Sequence, residues 1–169
     1  MPVSAFSFVG MYDHALAAAA NVLDKGWAFA RAQGISEAEM LGWRLIEDMQ
    51  PLSFQLAVVC DFSRQWPARV AALPVPDNVA ADLDVAGFSH AIAEARAWLA
   101  RLEPGRFEGR DEVELTHTLG TGMTLTRTCG RWLTLFATTN LYFHLSTAYD
   151  ILRARGVPIG KADLFAGGL

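Results

Sequence analysis

The chain has 169 residues, of which 52% are hydrophobic and 19% charged, with a formal net charge of −4. That length suits a single domain (residues 1–169) around one large core, and so little charge predicts apolar surface hidden against a second copy. An acidic balance with no Lys/Arg cluster excludes an electrostatic grip on nucleic acid, which needs a basic stripe.

Residues 9–33 read as the first long helix. Leu16, Ala20, Leu23, Trp27 and Ala30 recur at helical spacing, Tyr12 projects onto the same stripe, and Gly34 ends it. His14 projects nearly opposite and is expected in solvent. Ser36 with Glu39 is a capping box that should open a short helix over residues 36–45. The second long helix follows, with Asp48 as its expected N-cap and Pro51 tolerable in the first turn. Its core face is Leu52, Leu56, Val59 and Phe62 or Ser63. Gln55 falls on that face and must find partners, because an unsatisfied buried amide costs about 1–3 kcal/mol. Pro67 is expected to kink or end this helix near Trp66.

Two prolines, Asn78 and several aspartates make residues 73–84 a loop. A third long helix then carries Val85, Phe88, Ile92, Ala95, Leu99 and Leu102 on one stripe, with His90 off it and in solvent. Pro104 and Gly105 stop it. From residue 110 the period changes to two. Val113, Leu115 and His117 alternate with polar residues, Gly120-Thr121-Gly122 turns, and Met123 to Thr126 alternates in return. Such a hairpin is not stable alone, so it must lie against the helices.

Residues 140–161 are the last helix and its stop, with Thr138 or Thr139 as the expected cap. Leu141, Leu145, Ala148 and Leu152 fall on one line, and His144 sits at its edge. Gly156 can take the left-handed position after the helix, Val157 can fold back onto Leu152, and Pro158 forbids continuation. Leu164 and Phe165 then predict that residues 157–165 fold back across the bundle end or onto a partner subunit. Lys161 and Asp163 would face solvent, and the tail could form a lid over His144.

The uncharged run from Trp132 to Tyr149 is interrupted by seven polar side chains, which would be costly in lipid, so no membrane span is expected. Residues 1–14 show no positive leader region, and a cytoplasmic protein is expected. Cys60 and Cys129 offer no zinc spacing or disulfide framework, and both read as buried and inert. No phosphate-binding glycine loop, HExxH or Gly-x-Ser-x-Gly elbow is present, and the four histidines lie on separate elements. The inward polar groups are therefore Tyr12, Asp48, Gln55 and His144, with Asp61 and Tyr149 further out.

Arg44, Leu45, Asp48, Met49, Pro51, Leu52 and Gln55, followed by Phe143, His144, Thr147, Ala148, Tyr149, Ile151, Leu152 and Arg153, carry a resemblance to a family. In these motifs and in residues 156–161 the chain resembles an uncharacterised branch of the DinB/YfiT-like helical bundles. The resemblance implies an all-α, up-down-down-up four-helix bundle, commonly a dimer, with the hairpin inserted before the last helix. In the wider superfamily it implies a divalent metal on three histidines, one from the second long helix and two from the last. Here His144 is the one histidine on the last helix, Ala148 stands four residues on where a second ligand would be, and the second helix has none.

These residues support three readings. In the first, His144 and Gln55 act on a small molecule in an interior cavity, with Tyr12, Asp48 and Tyr149 binding it and no cofactor. In the second, His144 with Asp48 and Gln55 holds a divalent metal in a thiol-transferase-like enzyme of the superfamily type. In the third, the protein is a non-catalytic dimer whose polar groups bond only to one another. In each, the chain is expected to be a homodimer that buries helix faces rather than the hairpin edge, which Glu112, Glu114 and many threonines blunt.

Overall fold

A computed structural model describes residues 4–165. Its long helices are α1 (Ser7–Ala32), α3 (Leu52–Val70), α4 (Val85–Leu99) and α6 (Thr138–Ala154). A short α2 (Glu37–Leu41), the strands β1 (Glu114–Thr118) and β2 (Thr124–Thr128) and a one-turn α5 (Cys129–Arg131) lie between them. Ala15, Ala18 and Ala19 of α1 are fully buried, and these small side chains let neighbouring helices approach closely. Gly26 does the same against α6, where an added Cβ would stand 2.7 Å from a Leu152 methyl.

Contacts between residues far apart in sequence give the helix directions. Tyr12 meets Thr138 near the starts of α1 and α6, and Gly26 meets Leu152 near their ends, so the two run parallel. The Asp13–Arg96 ion pair sets the end of α4 beside the start of α1, and Glu37 accepts from the first amide of α4. Helix α3 starts where the Leu52 amide bonds to Trp43 O, just past α2, and so runs down like α4. The order is up-down-down-up, an all-α bundle with a small hairpin before the last helix.

Because α3 and α4 point the same way, the chain between them must travel back the length of the bundle. It does so along α3. Gln65 donates to Pro76 O and Asn78 Oδ1, Arg64 donates to Asp77 O, and the Val79 amide donates to Asp61 Oδ1.

Four expectations about element ends are corrected. Asp48 does not cap α3: Pro51 occupies the cap in extended geometry and Asp48 is exposed. A turn over residues 46–49, closed by Arg44 on Met49 O and by the Leu52 amide on Trp43 O, makes the entry instead. Ser36 does cap the short helix, accepting from the Glu39 amide, but that helix stops at Leu41. Pro67 does not end α3 at Trp66. The helix runs on to Val70, where Ala72 takes a positive φ of 54° and the Leu73 amide returns to Ala68 O. A proline inside a helix removes one N–H bond, and here the buried Ser63, Trp66, Ala68 and Val70 on either side hold the rest in place.

The last helix also begins earlier than Thr138. Thr128 accepts from the Arg131 amide at the start of α5, and the backbone stays helical through a π-helical stretch, Trp132–Ala137, into α6. Thr134 donates to Gly130 O and Asn140 to Phe136 O, so side chains take up carbonyls that the widened turns release. At the far end the Val157 amide reaches Leu152 O, Gly156 reaches Arg153 O with φ 86°, and Val157 is fully buried. This is the glycine-terminated stop anticipated from the sequence.

The hairpin pairs Glu114 with Thr128 through Thr118 with Thr124. Leu115, His117 and Leu125 turn inward, and Trp132 Nε1 donates to Leu115 O at 2.8 Å, tying the strands to the bundle. Val113 and Met123 fall outside the strands and are exposed. Residues 157–165 do fold back, onto α1. Asn21 donates to the backbone and side-chain oxygens of Asp163 at 2.9 and 3.3 Å, and Lys25 pairs with the same carboxylate. Asp163 therefore does not simply face solvent, and Phe165 stays 43% exposed. Because Lys161–Phe165 bonds to α1, it forms no lid over the seam between α3 and α6 where His144 lies.

Candidate functional site

Gln55 lies one turn into α3 and only 2% of its surface is exposed. Its amide nitrogen donates to Gln50 O at 2.9 Å, in the turn that precedes the helix. A carbonyl can only accept, so this bond orients the amide and leaves Oε1 facing α6. There Oε1 lies 2.7 Å from His144 Nδ1. An amide oxygen can only accept, so Nδ1 carries the proton and the neutral ring keeps its lone pair on Nε2.

That second nitrogen has no hydrogen-bond partner among the described residues. No buried side-chain nitrogen or oxygen lacks a partner among the described residues, so Nε2 reaches solvent. The rings of Phe54 and Phe143 stand edge-on to the imidazole, with centroids 6.0 and 5.1 Å away. Burial holds the His144 pKa below the ordinary histidine value. The arrangement is a neutral imidazole of fixed tautomer, with an accessible basic nitrogen between two aromatic rings.

Other sequence-selected residues lie elsewhere. The Tyr12 hydroxyl is 3.1 Å from Thr138 Oγ1, about 9 Å before His144 along α6 at 1.5 Å per residue. Burial pushes its pKa up, so it serves as a core hydrogen bond. Asp48 is exposed and joins neither pair. Tyr149 is half-buried, turned about 140° around the helix from His144. His14 is half-buried rather than solvated, and His90 is exposed. Burial pushes the Cys60 thiol up to about 12 and raises that of Cys129, which leaves both poor nucleophiles.

The residues do not fit a three-histidine divalent site. Gln55 occupies the α3 side and directs its oxygen at a protonated Nδ1, and Ala148 is fully buried and offers no donor. No group of three His, Cys, Asp or Glu side chains gathers in metal-binding geometry among the described residues. No described helix is long and apolar enough to cross a membrane.

A second feature escaped the sequence reading. Phe62 and Trp66 of α3, Trp132 and Phe136 of the π-helical stretch and His117 of β1 form one aromatic cluster. Trp66 stacks on Trp132 at 5.1 Å, and His117 stands edge-on to Trp66 at 5.2 Å. Arg69 lies over Trp66 at 5.3 Å. The threonine-rich alternation around His117 was the available signal, but it marks an inward face without saying what lies beneath.

No curated protein matches the chain. A solved structure described as a DinB family member protein from Shewanella denitrificans is similar, with a TM-score of 0.82 and 27% identity over 95% of this chain and 90% of that one. Residues 7–165 match the family described as a domain of unknown function, DUF1993. The chain therefore belongs to that family and has a DinB-like fold.

Proposed function

We propose that the protein binds a small, hydrogen-bond-donating molecule at the seam between α3 and α6. In this reading His144 Nε2 accepts the ligand's proton or hydrogen bond, and Gln55 is the residue that positions the ring. The supporting observation is the relay from Gln50 O through the Gln55 amide to His144 Nδ1. A histidine of purely structural role commonly has both nitrogens engaged; here a buried amide orients one and the other is open. Burial keeps the ring neutral near pH 7, the form that a general base needs. The donor set at His144 does not match a divalent ion.

The test is an NMR titration of the ¹⁵N-labelled chain with donor-bearing fragments such as phenol and acetamide. The expected result is a ring in the Nδ1–H form at pH 7 whose Nε2 resonance moves saturably with at least one fragment. An Nε2 that carries the proton at pH 7, or one that no fragment moves, rejects the reading.

Self-association belongs to the same proposal. Leu135 and Tyr142, seven residues apart, and Phe143 beside them are 62%, 36% and 56% exposed along the last helix. That face is the one through which a homodimer would hide apolar surface. Light scattering at micromolar concentration is expected to return twice the chain mass, and a clean monomer contradicts it.

A further inference from the structure

The outer side of α3 opens onto a groove of about 610 Å³ between the crossover connection, the hairpin tip and the π-helical stretch. That size is ordinary for an organic ligand site, roughly 300–1,000 Å³. Its walls are unlike one another. Phe62 and Phe136, 5.9 Å apart, make a partly exposed aromatic wall backed by the buried Trp66, which is 5.3 Å from Phe136. The facing wall is the crossover, held in place through Gln65 and Asp61.

Arg69 stands where these walls meet, half-buried, with no carboxylate in ion-pair range among the described residues. Its side-chain hydrogen bond goes to Gln65 Oε1 at 3.4 Å, which leaves most of its donors open. A guanidinium taken partly out of water without an anion is unfavourable, and burial lowers its pKa accordingly. Its planar fork matches a carboxylate in a way that an ammonium does not. Asp61, the other charged group on the lining, is already engaged. Its Oδ1 accepts from the Val79 amide at 2.8 Å and from Arg64 at 3.1 Å. One open cation beside one carboxylate selects a monoanion over a phosphate dianion.

We propose that this groove is a binding site for an aromatic monocarboxylate, with the carboxylate on Arg69 and the ring system against Phe62 and Phe136, which Trp66 backs from beneath. Positions 55 and 69 are about 21 Å apart along α3 at 1.5 Å per residue, so the groove's carboxylate end is remote from the His144 relay. Phe54 lines the other end of the groove and also flanks His144, so the two sites adjoin there, and the His144 variant below tells them apart.

The full chain is titrated with naphthalene-2-carboxylate and, in parallel, with naphthalene-2-methanol, and the Trp66 indole and His117 ring resonances are followed. The expected result is a saturable shift of both, with the carboxylate bound about tenfold more tightly than the alcohol, as a charge-assisted hydrogen bond implies. Arg69→Gln is expected to remove that preference, and His144→Asn to leave it intact. If Arg69→Gln does not fold, Arg69→Lys keeps the stem over Trp66, loses the fork and should show a smaller fall. The proposal is overturned by equal binding of acid and alcohol, or by a preference that survives both Arg69 variants. A carboxylate that moves His144 but not His117, or no saturable shift at millimolar concentration, overturns it as well.

Discussion

The α3–α6 seam and the groove on the outer side of α3 share a helix and are built by different physics. In the seam, Gln55 is almost fully buried and its amide bonds on both sides, so one imidazole nitrogen is fixed and the other left free. Directional bonds set that geometry, and two neighbouring helices are enough to make it. In the groove, aromatic rings from three elements define a shape, and its half-buried cation, Arg69, is held by stacking and one long hydrogen bond. The seam is suited to orienting a proton, and the groove to accepting a volume. A single helix can therefore serve two sites of different character on two of its faces.

The largest expected effect breaks the groove and tests whether the seam notices. Trp66 is 2% exposed and touches Phe62, His117, Trp132 and Phe136. Trp66→Ala should cost about 3–5 kcal/mol in denaturant titration. The His144 tautomer should be unchanged, and a change would mean that the two regions are coupled.

Next in size is Gln55→Leu, which leaves Gln50 O and the Nδ1–H of His144 without partners. A loss of about 1–3 kcal/mol is expected. The ¹⁵N spectrum should then show a mixture of tautomers while the groove's Trp66 resonance stays put. An unmixed Nδ1–H ring would show that something other than Gln55 orients it.

Tyr12→Phe is the smaller control. It removes one hydrogen bond to Thr138 from the core and should cost about 0.5–1.5 kcal/mol. Neither site should respond. A shifted His144 resonance would place Tyr12 back in the functional cluster.

The mildest perturbation is pH. Burial holds His144 below the usual histidine value, and burial followed by the neighbouring Arg69 charge does the same to His117. The unfolded chain then binds protons that the folded chain refuses, from about pH 6.5 down to the folded values. Stability contributed by the neutral rings is complete above about pH 6.5 and is lost as pH falls below it. Urea titrations at pH 7.5 and 5.5 should show that loss, and His144→Asn should reduce it. An unchanged slope in the variant would mean that the His144 ring titrates as it does in water.

Much of the bundle was readable because amphipathic helices announce themselves locally. The stripes of α1, α3, α4 and α6 are set by 3.6-residue spacing, and the buried positions Leu16, Leu56, Ile92 and Leu141 follow from it. The stop at Gly156 to Pro158 was equally local. Gln55 and His144 could each be singled out as polar intrusions into apolar stripes, and the family resemblance put their helices side by side. Helix starts were less readable. Asp48 has the right chemistry for a cap, but Pro51 and the Trp43–Leu52 bond override it. Thr138 looked like a beginning only because i→i+5 turns interrupt the regular period before it.

The sequence by itself determined the four amphipathic helices, the hairpin and the two polar residues that interrupt the core, since each depends on neighbours within a few turns. Tertiary structure alone decided which imidazole nitrogen is free, because that follows from the direction of one amide bond between Gln55 and Gln50 O. It also decided the groove. Trp66, Arg69, His117 and Phe136 come from elements far apart in the chain, and their meeting depends on how the crossover returns along α3 and how the π-helical turns rotate Trp132 and Phe136. Residue spacing along one helix carries no information about either.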